Sequence, residues 1–136
     1  MLAAEGISLE KAQGDDEIFV VLLVSGFDNI PRSRSALMFA TLAATADYRT
    51  VLYCIQNGVD IMVSDATEGN EVPKPGVPTL KQRLSEAVEE GIEILCCSQT
   101  LANKNLDEDD LLEGVKAAGA MTLVDLTTRA KGVLCF

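Results

Sequence analysis

Apolar residues fall along this chain in runs of two kinds. Glu17–Ser25 (EIFVVLLVS) is continuously apolar over the length of a strand, rich in Val and Ile, and closes on Ser-Gly, as a strand buried on both faces does. Arg49–Ile55 (RTVLYCI) and Ile92–Cys97 (IEILCC) repeat the pattern, and Val115–Ala118 and Gly132–Phe136 read as shorter strands. Between them lie helical segments. Pro31–Ala46 follows Asp28 and Asn29, which can cap it, and Pro31 suits its first turn. Thr79–Glu90 lines up Leu80, Leu84, Ala87 and Val88 on one face, with Thr79 and Gln82 as a capping box and Gly91 as the stop. Ala120–Ala130 reads as a helix, and the acids of Asp107–Asp110 (DEDD) predict the opening of another, where they match the positive helix end.

Val59–Val63 is a short amphipathic segment, and residues 64–78 hold three of the four prolines, which marks an exposed loop. Residues 1–16 are small, polar and acidic and read as a flexible leader to a single domain over 17–136. Apolar strands alternating with helices predict a parallel sheet covered on both sides.

The helix Pro31–Ala46 departs from the usual amphipathic pattern. From Ser35 on it is apolar nearly all round, broken only by Thr41 and Thr45. A helix without a polar stripe is buried on more than one side. In a domain this small a second copy of the chain is the simplest cover, which predicts a homo-oligomer, a trimer in the first place; the leader over residues 1–16 could do the same within a monomer.

Composition narrows the chemistry. The 136 residues suffice for one domain with a true core, and with 4% aromatics and no Trp that core is aliphatic. A formal net charge of −10 argues against nucleic acid and anionic membrane as partners. The N-terminus lacks the basic start and apolar stretch of a secretory signal, and no apolar run approaches the ~20 residues that cross a bilayer. Cys54, Cys96, Cys97 and Cys135 lack a disulfide-type spacing and read as reduced thiols in a cytoplasmic protein.

The chain contains no His, which removes Ser-His-Asp triads, Cys-His pairs and His-ligated zinc. The DEDD run lacks the spaced ligands and central Gly of a calcium loop, and neither a P-loop nor a G-x-G-x-x-G motif occurs, so no metal or cofactor is expected.

A thiol that needs no His base is what remains. In parallel sheets, reactive groups gather at the carboxyl ends of the strands. Three features project there: the turn Gly26–Arg34, the turn at Asn57–Gly58, and Cys97–Thr100. Cys97 would end its strand against a helix N-terminus, whose free N–H groups favour a thiolate. Cys96 would face the opposite side of the sheet and be buried. Cys54 and Cys135 read as core residues within apolar strands. Arg32 and Arg34 could raise the local potential, although solvated positions at a helix start explain them as well. A buried, inert Cys97 is the competing reading, since free Cys often packs as a small hydrophobe.

The segment GIEIL, Cys97-x-x-Thr100-Leu101, then Asp110–Val115, Gly119–Leu123 and Val133–Phe136, resembles the DsrE/DsrF-like family of sulfur-transfer proteins. Upstream, YCIQNGV and GVPTLKQRL also match that family's pattern, so the likeness spans roughly residues 18–136. The resemblance implies a three-layer α/β/α sandwich with a parallel sheet of about five strands, assembled as trimers or hexamers. It also implies that Cys97 carries sulfane sulfur as a persulfide, exchanged with small carriers such as TusA-like proteins. Cys96, Thr100 and Arg32 are candidate auxiliaries to it. Where some relatives have a second Cys, this chain has Lys104-Asn105, and its additional thiol is the adjacent Cys96. The alternative of another class is a non-catalytic subunit or ligand-binding module on the same fold.

Overall fold

The computed structural model describes residues 17–136; the leader read over 1–16 lies outside the described residues. The predicted strands form: β1 (Ile18–Leu23), β2 (Arg49–Cys54), β3 (Glu93–Cys97), β4 (Lys116–Ala118) and β5 (Gly132–Cys135). They make one sheet in the order β4-β3-β2-β1-β5, with every pairing parallel. The helices are α1 (Ile30–Thr45), α2 (Asn57–Ile61), α3 (Ala66–Gly69), α4 (Leu80–Glu89), α5 (Ser98–Asn103) and α6 (Ala120–Arg129). The expected α/β sandwich is the observed architecture.

The connections decide how well each face is covered. β1 through β4 are added one after another in a single direction, and right-handed crossovers then put their helices on one face. There α1 packs on α4, and Leu37, Leu84 and Leu101 join Val21, Leu52 and Ile94 in the larger core. The chain then returns across the whole sheet from β4 to β5, and the same handedness puts α6 on the opposite face. A smaller core lies there, of Ile18, Val20, Val51, Tyr53, Leu95 and Leu126. One face is thick and the other thin.

Local signals explain most boundaries. The Asn29 side chain caps α1 by accepting from the Arg32 N–H at 3.2 Å. The capping box at α4 has both bonds, Gln82 N–H to Thr79 Oγ1 at 3.1 Å and Thr79 N–H to Gln82 Oε1 at 2.8 Å. After α4 the chain reverses at Gly91, whose φ of 85° suits glycine.

Four expectations need correction. Asp107–Asp110 opens no α-helix. It forms one 3-10 turn (Glu108–Asp110), because the Asp110 carboxylate folds back to the Asp107 N–H at 2.9 Å and Leu111 is extended and bridged to Val63. Residues 64–78 are not loop throughout, since the short α3 lies within them. Val88 is 56% exposed, because the buried stripe is Leu80, Leu84 and Ala87, and Val88 stands one residue further round the helix. Cys135 is exposed and not core, because β5 is an edge strand. On α1, Ala36, Leu37, Ala40 and Ala43 are buried while Leu42 is 54% exposed. Phe39 is partly covered by the chain itself, stacking on Phe136 with ring centroids 5.7 Å apart.

Candidate functional site

β3 alternates, and the alternation separates its two cysteines. Cys96 points into the thick face, in register with Cys54 on β2, and both side chains are fully buried. The hydrogen bond to Cys96, together with burial, pushes the Cys54 thiol well above the ordinary range. Cys97 points the other way, toward α6.

Cys97 is both the last residue of β3 and the N-cap of α5, and its residue exposure is 7%. Burial pushes its thiol up, but the nearby Thr100 and Gln99 backbone N–H groups and the Thr100 and Tyr53 hydroxyls, which favour a charged sulfur, outweigh that effect. The net result lies below the ordinary thiol value. The thiolate is therefore stabilised by dipoles, and no cationic side chain takes part.

The thiol lines a pocket of about 310 Å³ together with Tyr53, Ile55, Gln56, Gln99, Thr100, Asn103, Ala120 and Leu123. It opens on the thin face, where α6 is the single helix among the described residues. All of these residues are uncharged, and the polar ones converge near the sulfur. The Tyr53 hydroxyl donates to the Ala118 carbonyl at 3.1 Å and the Gly119 carbonyl at 2.7 Å. Burial, followed by the influence of Cys97, pushes the phenol above its ordinary value, so it keeps its proton. With one hydrogen, it serves a carbonyl while the thiol is neutral and can turn to the sulfur as charge develops there.

Two glycines bring the neighbouring turns together at this end of the sheet. A Cβ at Gly26 would land on the Asn57 carbonyl, and one at Gly58 on the Leu23 carbonyl. The turn between β2 and α2 also holds Gln56 at φ 51°, ψ −125°, a conformation that costs a non-glycine residue about 1–3 kcal/mol.

Thr100 thus lies beside Cys97, as its sequence position suggested. Cys96 lies behind the sheet from it, and Arg32 is exposed at the start of α1 and does not line the pocket. Arg34 lines a larger cleft of about 480 Å³ between the β1–α1 turn and residues 70–77, where it pairs with Glu71 at 3.2 Å. That cleft contains no thiol, and the chemistry therefore points to the smaller pocket. Tyr53 and Gln56 were missed by sequence reasoning. Period-2 alternation puts Tyr53 on a face, but only the register of β2 against β3 brings it to Cys97.

Among the described residues no group of His, Cys, Asp and Glu side chains is placed to hold a metal, and no helix is long and apolar enough to cross a membrane.

Comparison with known proteins agrees with this architecture. The fold matches the YchN protein of E. coli with a TM-score of 0.67 at 18% identity, covering 89% of this chain and 99% of that one. It matches MTH1491 of Methanobacterium thermoautotrophicum with a TM-score of 0.63 at 24% identity, covering 89% and 100%. In sequence, the chain is 27% identical over 125 residues to the uncharacterized protein MK0008 of Methanopyrus kandleri, covering 91% of this chain and 97% of that protein. It is 22% identical over 114 residues to the uncharacterized protein MJ0760 of Methanocaldococcus jannaschii, of whose length the match spans 40%. The DsrE/DsrF-like family model matches residues 17–136, and the chain belongs to that family.

Proposed function

We propose that this protein is a cytoplasmic sulfur-transfer protein that carries sulfane sulfur on Cys97. Family membership supports a sulfur-relay role in general terms. The observation that carries the specific reading is a thiol held below its ordinary value at the wall of an open pocket. The Cys97 thiolate attacks the outer sulfur of a donor persulfide R–S–SH. The new bond joins Cys97 sulfur to that atom, the S–S bond of the donor breaks, and R–S⁻ leaves and takes up a proton. Attack by an acceptor thiolate on the outer sulfur of Cys97–S–SH reverses the bookkeeping and regenerates the thiolate. Neither half needs a metal, a nucleotide or a His.

An uncharged pocket with Ile55 and Leu123 in its wall suits a chain segment that brings its own cysteine, as a small TusA-like carrier would. Among the described residues no side-chain cation lines it to receive a multiply charged inorganic donor. The exposed Leu42 of α1 further supports a homo-oligomer; that it is a trimer, or a hexamer built from trimers, is what the family resemblance implies.

A second reading, a ligand-binding module with an inert thiol, draws on the 7% exposure of Cys97. Mass spectrometry after exposure to a persulfide donor separates the two. In a Cys135→Ser background, a gain of about 32 Da, one sulfur atom, is expected. It should persist in Cys96→Ser and vanish in Cys97→Ser. An adduct retained without Cys97, or none in the parent protein, overturns the proposal.

A further inference from the structure

We infer that Gln56 is a positioning residue, which acts through its strained backbone to aim the Thr100 hydroxyl at Cys97. The inference extends the reading of Cys97 as the reactive thiol. Ile55–Gly58 is a tight turn closed by the Gly58 N–H on the Ile55 carbonyl at 2.9 Å. Gln56 at φ 51°, ψ −125° holds the first central position of a type II′ turn, which glycine usually occupies. The turn is pinned from outside. Ile55 N–H donates to the Leu23 carbonyl at 2.9 Å and Gly58 N–H to the Val24 carbonyl at 3.1 Å, so β1 holds the strained geometry in place.

This conformation has one specific consequence. It ends β2 in a pinned turn, so that the Gln56 N–H, which faces the β3 side by alternation with the Ile55 N–H on β1, is held on Thr100 Oγ1, at 3.2 Å. Threonine hydroxyls inside helices commonly donate back to the carbonyl four residues earlier. Thr41 and Thr45 of α1 do so, to Leu37 at 2.9 Å and to Thr41 at 3.0 Å. Thr100 is different because a backbone donor already occupies its oxygen from the side of β2. The hydroxyl hydrogen must then point away from Gln56. Thr100 stands one helical turn after Cys97, and both line the pocket, so the sulfur lies on the open side. The relay runs from the Gln56 N–H to the Thr100 oxygen, and from the Thr100 hydrogen to the thiolate. The Gln56 side chain is not part of it.

Alkylation of Cys97 by iodoacetamide, followed against pH in a Cys135→Ser background, tests the relay. The parent midpoint is read first, and a midpoint that is not lowered would refute the reactive thiol itself. Gln56→Val forbids the positive φ and should raise the midpoint by about half a pH unit or more, through loss of a hydrogen bond to the charged form. Thr100→Val should raise it similarly, and the double variant no further. Gln56→Gly adopts the turn without strain, so it should restore the parent midpoint and melt no lower. Thr100→Ser should likewise keep a lowered midpoint. Thermal melts establish that each variant is folded, and Thr100→Val carries the test if Gln56→Val is not. A midpoint indifferent to Thr100→Val, or raised as much by Gln56→Gly as by Gln56→Val, overturns the inference.

Discussion

Cys96 and Cys97 are bonded neighbours in β3, yet they belong to two different environments. Cys96 meets Cys54 across the strands inside the thick face, under α1 and α4, where burial and mutual hydrogen bonding favour the neutral thiol of Cys54. Cys97 meets the thin face, where α6 leaves the strand ends open and the first turn of α5 supplies donors. The same functional group one residue apart is sealed core in one case and, in the function proposed above, the nucleophile in the other. Handedness causes the asymmetry. Successive right-handed crossovers stack their helices on one side, and the return crossover sends α6 to the other.

The sharpest way to break this comparison is thiol labelling of the folded protein. With Cys135→Ser removing the exposed thiol, Cys97 should react with iodoacetamide about 100-fold or more faster than Cys54 or Cys96, which react only when the thick face opens. Peptide mapping over a time course reads the three rates. Labelling of Cys96 at a rate comparable to Cys97 would remove the distinction between the faces.

A second test concerns what covers the outer side of the thick face. With Leu42 54% exposed, leaving it in water forgoes about 1 kcal/mol per copy relative to full burial; light scattering should report an oligomer, a trimer in the proposed reading, and Leu42→Glu a smaller species. Should wild-type protein run as a soluble monomer, α1 would need no neighbour, and its uniform apolarity would have to be explained within one chain.

The smallest expected effect is a pH dependence of stability with opposite signs on the two faces. Cys97 holds its proton less tightly when folded. Between its lowered value and the ordinary thiol value of about 8.5 the unfolded chain therefore binds more protons, and stability rises with pH. That contribution persists above the window and is lost as pH falls through the folded value. Cys54 is the reverse. Its raised value keeps the folded thiol protonated where the unfolded chain has already released the proton, so stability is lost as pH rises above the ordinary value. Melting temperatures of wild type and Cys97→Ala from about pH 6 to pH 8.5 should diverge upward in favour of wild type. Parallel curves would contradict the lowered Cys97 value.

Much of this was readable along the chain, because it depends on neighbours in sequence. Asn29 and Thr79 cap their helices through residues three positions away, Gly91 reverses the chain through its own φ, and apolar runs mark the strands. The position of Cys97 at a strand-to-helix junction follows from IEILCC running into SQTL, and the opposite facing of Cys96 follows from alternation alone. The misreadings arose where a distant partner intervened. Asp107–Asp110 carries the composition of a helix start, but Leu111 is claimed by a bridge to Val63. Cys135 sits in an apolar strand pattern, but the strand order puts β5 at the edge of the sheet, paired with β1 alone.

By itself, then, the amino-acid order determined the elements, their caps and the candidate nucleophile, all set by interactions within a few residues. Only tertiary structure decided what surrounds that nucleophile. The register of β2 against β3 brings Tyr53 beside Cys97, and the crossing of two turns at Gly26 and Gly58 accompanies the strain at Gln56. Strand order decides which face stays thin. None of these is a property of a local window, because each is fixed by backbone groups that meet only after strands far apart in the chain have paired.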